Sequence, residues 1–215
     1  MCARFRSVSD PTGILSPYTR LLRFNWPFNP NVAPTDAAPI IRSGKDGPAG
    51  ELACFGLVHS WAKDRKKAAQ FINARSETIR EKPAFAKAYG ARRCIIPAAG
   101  FYEWKTIDGK KQPYQFYRQD GRLLNLAGIW EYAEIDGEKL FSFAIVTTEP
   151  NAFVAEYHDR MPIAVNDDRV EAWLDPANDV LADPAMGLPL DAYAVRPMNP
   201  AMNSPRLKDA AAMEP

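Results

Sequence analysis

Between Arg93 and Thr147 the chain reads as short apolar runs broken by polar turn pairs, and this rhythm dominates the sequence. β-branched and aromatic residues fill Arg93–Pro97, Tyr102–Thr106, Tyr114–Arg118, Leu123–Tyr132 and Phe141–Thr147, which are expected strands. Asp108-Gly109 and Asp136-Gly137 are dipeptides that tolerate positive φ, so hairpins are expected there. Residues 11–50 are rich in Pro, Gly, Asn and Asp, with a short strand expected at Leu21–Phe24 and an irregular path over Pro27–Pro34. Gly47–Gly50 reads as a turn leading into a strand at Leu52–Leu57. Helical composition is limited to Lys63–Ile72, Pro83–Tyr89 (with proline in its first turn), Pro150–Tyr157 and Val170–Leu174. An extended Met161–Val165 and a late strand at Tyr193–Val195 complete the pattern. Strands grouped in hairpins point to an α+β fold, a single domain over residues 1–206. Its sheet is expected to be curved, mostly antiparallel and barrel-like, with peripheral helices. Residues 207–215 read as a disordered tail.

Composition narrows the class. A length of 215 residues, 47% hydrophobic and 25% charged, suits one compact domain with a sizeable core. No apolar run approaches the roughly 20 residues that span a bilayer, and no secretory signal is visible. Cys2, Cys54 and Cys94 form no CxxC pair, and His59 and His158 are too few for a multi-histidine centre. The expectation is a monomeric cytoplasmic protein without metal, cofactor or membrane association. The net charge of +1 conceals an asymmetry: Lys63–Lys111 carries 13 Lys/Arg and 5 Asp/Glu, whereas Glu131–Asp191 carries 3 and 14. A locally basic face could bind a phosphate backbone, although Arg65–Lys67 reads better as solvated helix surface.

The chemistry-bearing candidates are dispersed. Cys2 becomes the N-terminus once Met1 is removed, and its thiol and α-amine then share one carbon framework. With reference pKa values of about 8.5 and 7.7–8.0, both keep a reactive fraction at neutral pH. Such a pair suits a self-activated thiol nucleophile, or capture of an aldehyde as an imine that the thiol closes to a thiazolidine. Asn73-Ala74-Arg75-Ser76-Glu77 resembles a loop opening a new turn. Gly100-Phe101-Tyr102-Glu103-Trp104 sets one acid in an apolar run that would raise its pKa, unless Glu103 faces solvent. Thr147-Thr148-Glu149-Pro150-Asn151 closes a strand and starts a helix, either a phosphate site or a plain cap. His158-Asp159-Arg160-Met161-Pro162 puts the second histidine at a helix-to-strand corner, where it could move protons or simply serve the structure.

Taken in order, these motifs resemble the SOS-response-associated peptidase (SRAP) family. The resemblance spans roughly residues 2–175 and includes Asn31-Val32-Ala33-Pro34-Thr35, Gly56-Leu57, Ser60-Trp61-Ala62, Arg93-Cys94-Ile95-Ile96-Pro97, Ala127-Gly128-Ile129-Trp130-Glu131 and Thr147-Thr148. It implies an abasic-site processing protein that forms a thiazolidine crosslink between Cys2 and the aldehyde of an abasic site in single-stranded DNA. By the same resemblance Cys2 is the nucleophile, Asn73 holds it, Glu103 is the acid/base, and His158 assists proton traffic. Arg75, Arg160, Thr147 and Thr148 become DNA contacts, and Trp61 and Phe55 offer faces for bases. The implied location is cytoplasmic, on the nucleoid when DNA is bound.

The sequence departs from the family at Ala3, where glycine is common, at Cys54-Phe55, where Arg-Trp is usual, and at His59, where proline is common. Two other functions compete. One is a thiol peptidase, acting on peptides in general or only on its own Met1, in which Cys2, His158 and Asn73 form a Cys-His-Asn arrangement. The other is a noncatalytic single-strand-binding domain.

Overall fold

The computed structural model describes residues 2–8, 28–44, 47–62, 70–135, 137–183 and 185–215. The expected strand at Leu21–Phe24 and most of the expected helix at Lys63–Ile72 lie outside these residues. In chain order the strands are β1 (Phe5–Arg6), β2 (Ala37–Gly44), β3 (Gly47–Phe55), β4 (Asn73–Arg75), β5 (Arg93–Ala98) and β6 (Gly100–Ile107). They continue with β7 (Lys110–Arg118), β8 (Leu124–Ile135), β9 (Glu138–Thr148), β10 (Met161–Pro162), β11 (Ala164–Val165) and β12 (Tyr193–Pro197). The helices α1 (Pro83–Ala91), α2 (Ala152–Ala155) and α3 (Val170–Leu174) are short.

Strands β9, β3, β2, β5 and β8 are neighbours in that order, and β8 pairs back onto β9, which closes a five-strand barrel. Closure removes the exposed edges that an open sheet would present. A second, antiparallel sheet runs β1-β6-β7-β12. The α+β, mostly antiparallel, barrel-like expectation holds; the parallel pairs are β3 and β4 with β9.

Local chemistry sets the registers. Asp108 and Gly109 both have positive φ, 49° and 75°, the geometry of a tight hairpin turn, and this turn seats Glu103 opposite Tyr114. At Gly128 an added Cβ would lie 2.4 Å from Ile96 Cδ1 and 2.9 Å from Cys94 Sγ, so β8 reaches β5 only because that residue is glycine. Inside, Phe55 stacks on Phe143 at 5.2 Å and Phe5 meets both edge-on. Burial of each such ring contributes about 1.5–3 kcal/mol.

Three expectations are corrected. Gly47–Gly50 is not a turn but the start of β3, paired with Ile41–Gly44, because Gly47 at φ 109° absorbs the reversal earlier. The helix expected from Pro150 to Tyr157 shrinks to α2, since the Asn151 side chain accepts from Val154 N at 2.9 Å and caps it there. The tail from Leu207 is packed rather than disordered. Met213 is buried with Tyr102, Met198 and Met202, and Glu214 pairs with Arg6 and Arg196.

Candidate active site

The second sheet carries the N-terminus to the barrel mouth. β1 is two residues long, yet it is held on both sides, by β6 and by a bridge between Phe5 and Val32. Cys2, three residues ahead of Phe5, is thereby fully buried. The Asn73 side-chain amide donates to the Cys2 carbonyl at 2.8 Å and to the Ile72 carbonyl at 2.7 Å. Asn73 is not a turn residue, as expected, but opens β4, which lies parallel to Ile145–Thr147. Burial, and then the nearby Glu103, push the Cys2 thiol well above its ordinary pKa.

Glu103 is 2% exposed. Burial raises its carboxyl to a pKa of about 8, Asp159 adds to the rise, and the positive chain terminus opposes it. Its Oε1 has no hydrogen-bond partner among the described residues, and Oε2 stands 3.7 Å from His158 Nε2. His158 Nδ1 lies 3.0 Å from the Arg160 backbone nitrogen and 3.1 Å from both the Arg160 carbonyl oxygen and Asp159 Oδ1, and Nε2 faces Glu103. Burial and then the terminal charge lower the His158 pKa, favouring the neutral ring. A protonated carboxyl beside a neutral imidazole can deliver and retrieve protons near pH 7.

The structure thus gathers Cys2, Asn73, Glu103 and His158 at one corner. Arg75 is the exposed last residue of β4, two residues from Asn73 and therefore on the same face, with Thr147 as its register partner. Arg160, in contrast, is already engaged: Nη1 and Nη2 donate to the Glu77 carboxylate at 2.8 and 2.9 Å, and Nη2 also reaches the Thr147 carbonyl at 2.9 Å. Those bonds hold the Glu77 carboxyl below its usual range. Thr147 is buried and Thr148 half-buried. Trp61 is 71% exposed and stacks on His59 at 4.9 Å. Phe55 is corrected: at 0% exposure its ring is core and cannot meet a base.

Sequence reasoning missed Glu77, Asp159, Tyr114 and Tyr157. Tyr114 sits opposite Glu103 and meets Tyr157 at 4.8 Å, walling the acid with aromatic rings. The Asp108-Gly109 turn could have revealed Tyr114, since a two-residue loop fixes which residues face each other. A cavity of about 290 Å³ lined by Thr148, Asn151, Met161 and Leu188 lies nearby, but none of the four gathered residues lines it. A groove of about 610 Å³ runs beside Ala3, Arg4, Pro34 and Trp104, next to the buried cysteine. Among the described residues no helix is long and apolar enough to cross a membrane, and no cluster of three His, Cys, Asp or Glu could hold a metal ion.

Comparison with known proteins supplies the family to which a chain with this fold and this buried cysteine belongs. The profile of the SOS response associated peptidase (SRAP) family matches residues 1–205, and the chain belongs to that family. It is 36% identical to abasic site processing protein YoqW of Bacillus subtilis (strain 168), covering 96% of this chain and 98% of the relative. It is 32% identical to abasic site processing protein HMCES of Rattus norvegicus, covering 82% of this chain and 62% of that one. The fold resembles a crystal structure of a Bacteroides thetaiotaomicron protein, with TM-score 0.77, 24% identity, and 99% and 96% of the two chains covered.

Proposed function

We propose that this chain captures abasic sites in single-stranded DNA by forming a thiazolidine between Cys2, freed of Met1, and the lesion's aldehyde. The observation that carries this reading is Glu103: a buried carboxyl with a pKa of about 8, 3.7 Å from His158 and close to the cysteine. An abasic sugar is mainly a closed hemiacetal, so a proton must move from the anomeric hydroxyl to the ring oxygen before any amine can attack. The acid form of Glu103 gives its proton to the ring oxygen, the carboxylate so formed takes the proton of the anomeric hydroxyl, and His158, 3.7 Å away, assists that proton traffic. The Cys2 amine then adds to the aldehyde carbon, and loss of one water gives the imine. The thiol sulfur bonds to that carbon while its proton passes to nitrogen, closing the five-membered ring. While Met1 is attached the Cys2 nitrogen is an amide and cannot form the imine, so Met1 removal is required.

Asn73 fixes the reacting end by holding the Cys2 carbonyl, a proximity device in which misplacement by an ångström costs rate. Arg75 and Thr148 contact the backbone and Trp61 a neighbouring base. Arg160 and Thr147 act beside them, Arg160 exchanging part of its Glu77 pairing for a phosphate. A Cys-His-Asn peptidase is the weaker reading, because Asn73 donates to the Cys2 carbonyl and His158 turns Nε2 to Glu103. Intact mass of the protein, alone and after mixing with single-stranded DNA carrying one abasic site, tests the proposal. The expected species weighs Met1-free protein plus DNA minus water, and is absent for Cys2→Ala and for undamaged DNA. A Met1-free protein that gives no such species refutes it.

A further inference from the structure

The C-terminal segment makes contacts that the site described so far leaves unexplained. From β1, Arg4 reaches over to the Met202 carbonyl with Nη2 at 2.7 Å and to that of Asn203 at 3.4 Å. The Arg4 guanidinium also lies over the Trp104 ring, 5.3 Å from its centroid. Arg6, two residues on, donates to Glu214 at 3.2 Å, and Arg196 of β12 pairs with the same carboxylate at 2.8 Å. Lys208 binds the Asn31 carbonyl and Asp36 at 2.6 Å, which anchors the tail to the segment that bridges β1 on its other side. Between these polar ties, Met202 and Met213 are buried against Tyr102, the residue before Glu103. The family profile ends at residue 205, so Lys208, Met213 and Glu214 lie beyond it.

We infer that residues 199–215 are a strap that positions the nucleophile, with Arg4 as the positioning residue through which it acts. Two ladder residues cannot by themselves keep an N-terminal strand from fraying. Cys2 is instead held between two clamps: Asn73 on its own carbonyl, and Arg4, two residues later, bound to the strap. A charge-assisted bond to a buried carbonyl is among the stronger polar ties available to a chain end. The strap packs on the face of β6 that carries Tyr102 and Trp104, opposite to the face of Glu103, so it acts on the nucleophile and not on the acid. Loosening it therefore misplaces the nucleophile. None of these tail residues touches DNA in this account.

This inference rests on the covalent-capture reading for its kinetic arm only. The test uses the full chain, a version ending at Arg206, and the variants Arg4→Met and Arg4→Lys. Three quantities are measured well below each melting temperature. They are single-turnover adduct formation with abasic single-stranded DNA, alkylation of Cys2 located by peptide mass, and amide exchange. Loss of one charge-assisted bond corresponds to roughly tenfold in rate, so Arg4→Met and the truncation are each expected to slow adduct formation about tenfold, and Arg4→Lys to restore part of it. Cys2 alkylation should quicken, and exchange should rise at Phe5, Val32, Ala99 and Tyr102, whose N–H groups bond across β1 and its neighbours. The acid limb of the pH–rate profile should stay at about 8, since the strap packs on the face of β6 opposite Glu103, so that a slower rate with an unmoved limb marks a misplaced nucleophile and not a hydrated acid. A folded truncated protein with unchanged alkylation and exchange overturns the strap, as does exchange raised uniformly over the chain. If the full-length protein forms no adduct, the capture reading fails, while alkylation and exchange still decide the strap.

Discussion

Replacing Glu103 by Gln should abolish efficient capture and yet stabilise the protein, increasingly so as the pH rises. The folded carboxyl has a pKa of about 8 against an ordinary 4.5, so the folded state holds a proton that the unfolded chain releases. A raised carboxyl pKa favours folding fully below pH 4.5, and that contribution is lost as the pH climbs through about 8. Between pH 5 and pH 7.5 the unfolded-state acid is mostly ionised while the folded acid stays mostly protonated. At 1.36 kcal/mol per pKa unit this costs wild type about 3 kcal/mol over that interval. Glutamine carries no such proton. Any hydrogen bond its amide lacks is a pH-independent loss of about 1–3 kcal/mol and cancels from the comparison. For a chain of this size 1 kcal/mol moves the melting temperature by roughly 2–4 °C. The gap between Glu103→Gln and wild type should therefore widen by about 6–12 °C from pH 5 to pH 7.5, read by calorimetry on Met1-free protein. A gap that stays constant, or narrows, would refute the claim that Glu103 is held protonated, and with it the general-acid role.

Cys2→Ser should yield little stable crosslink but equal or greater strand cleavage at abasic sites, seen on denaturing gels, because the imine then has no thiol to divert it from β-elimination. Trp61→Ala should weaken single-strand binding by about 1–3 kcal/mol in fluorescence anisotropy, while changing stability by no more than about 0.5 kcal/mol. Phe55→Ala, in the stacked core, should lose about 3–5 kcal/mol in urea melts instead. Arg75→Ala should reduce the slope of log affinity against log salt by about 0.7. Arg160→Ala should also lower thermal stability, as it removes the bidentate pairing with Glu77 and one of the bonds to the Thr147 carbonyl.

Most of the second sheet was legible because its signals are local. The Asp108-Gly109 turn and the apolar runs on either side determine β6, β7 and the pairing of Glu103 with Tyr114. Barrel closure was not legible, since it depends on β3 lying parallel to β9 and on β5 pairing with both β2 and β8, contacts that no local period encodes. β4 is three residues long, too short for any alternation to show, so Asn73 read as a turn residue. Met213 owes its burial to Tyr102, more than a hundred residues away, and a polar tail composition gives no hint of it. Cys2, Asn73, Glu103 and His158 emerged from family resemblance rather than from any motif read alone. Glu77 was overlooked inside a quoted motif, because only the fold brings it to Arg160.

Arg4 and the Met202 carbonyl are 198 residues apart. At the usual 5–20 residues per second of synthesis, the cysteine leaves the ribosome roughly 10–40 s before its last anchor exists. For the first half of that interval the nascent end lacks β6 as well, and for all of it the strap. A chain end uncovered for that long is open to processing before the finished chain draws the thiol inside.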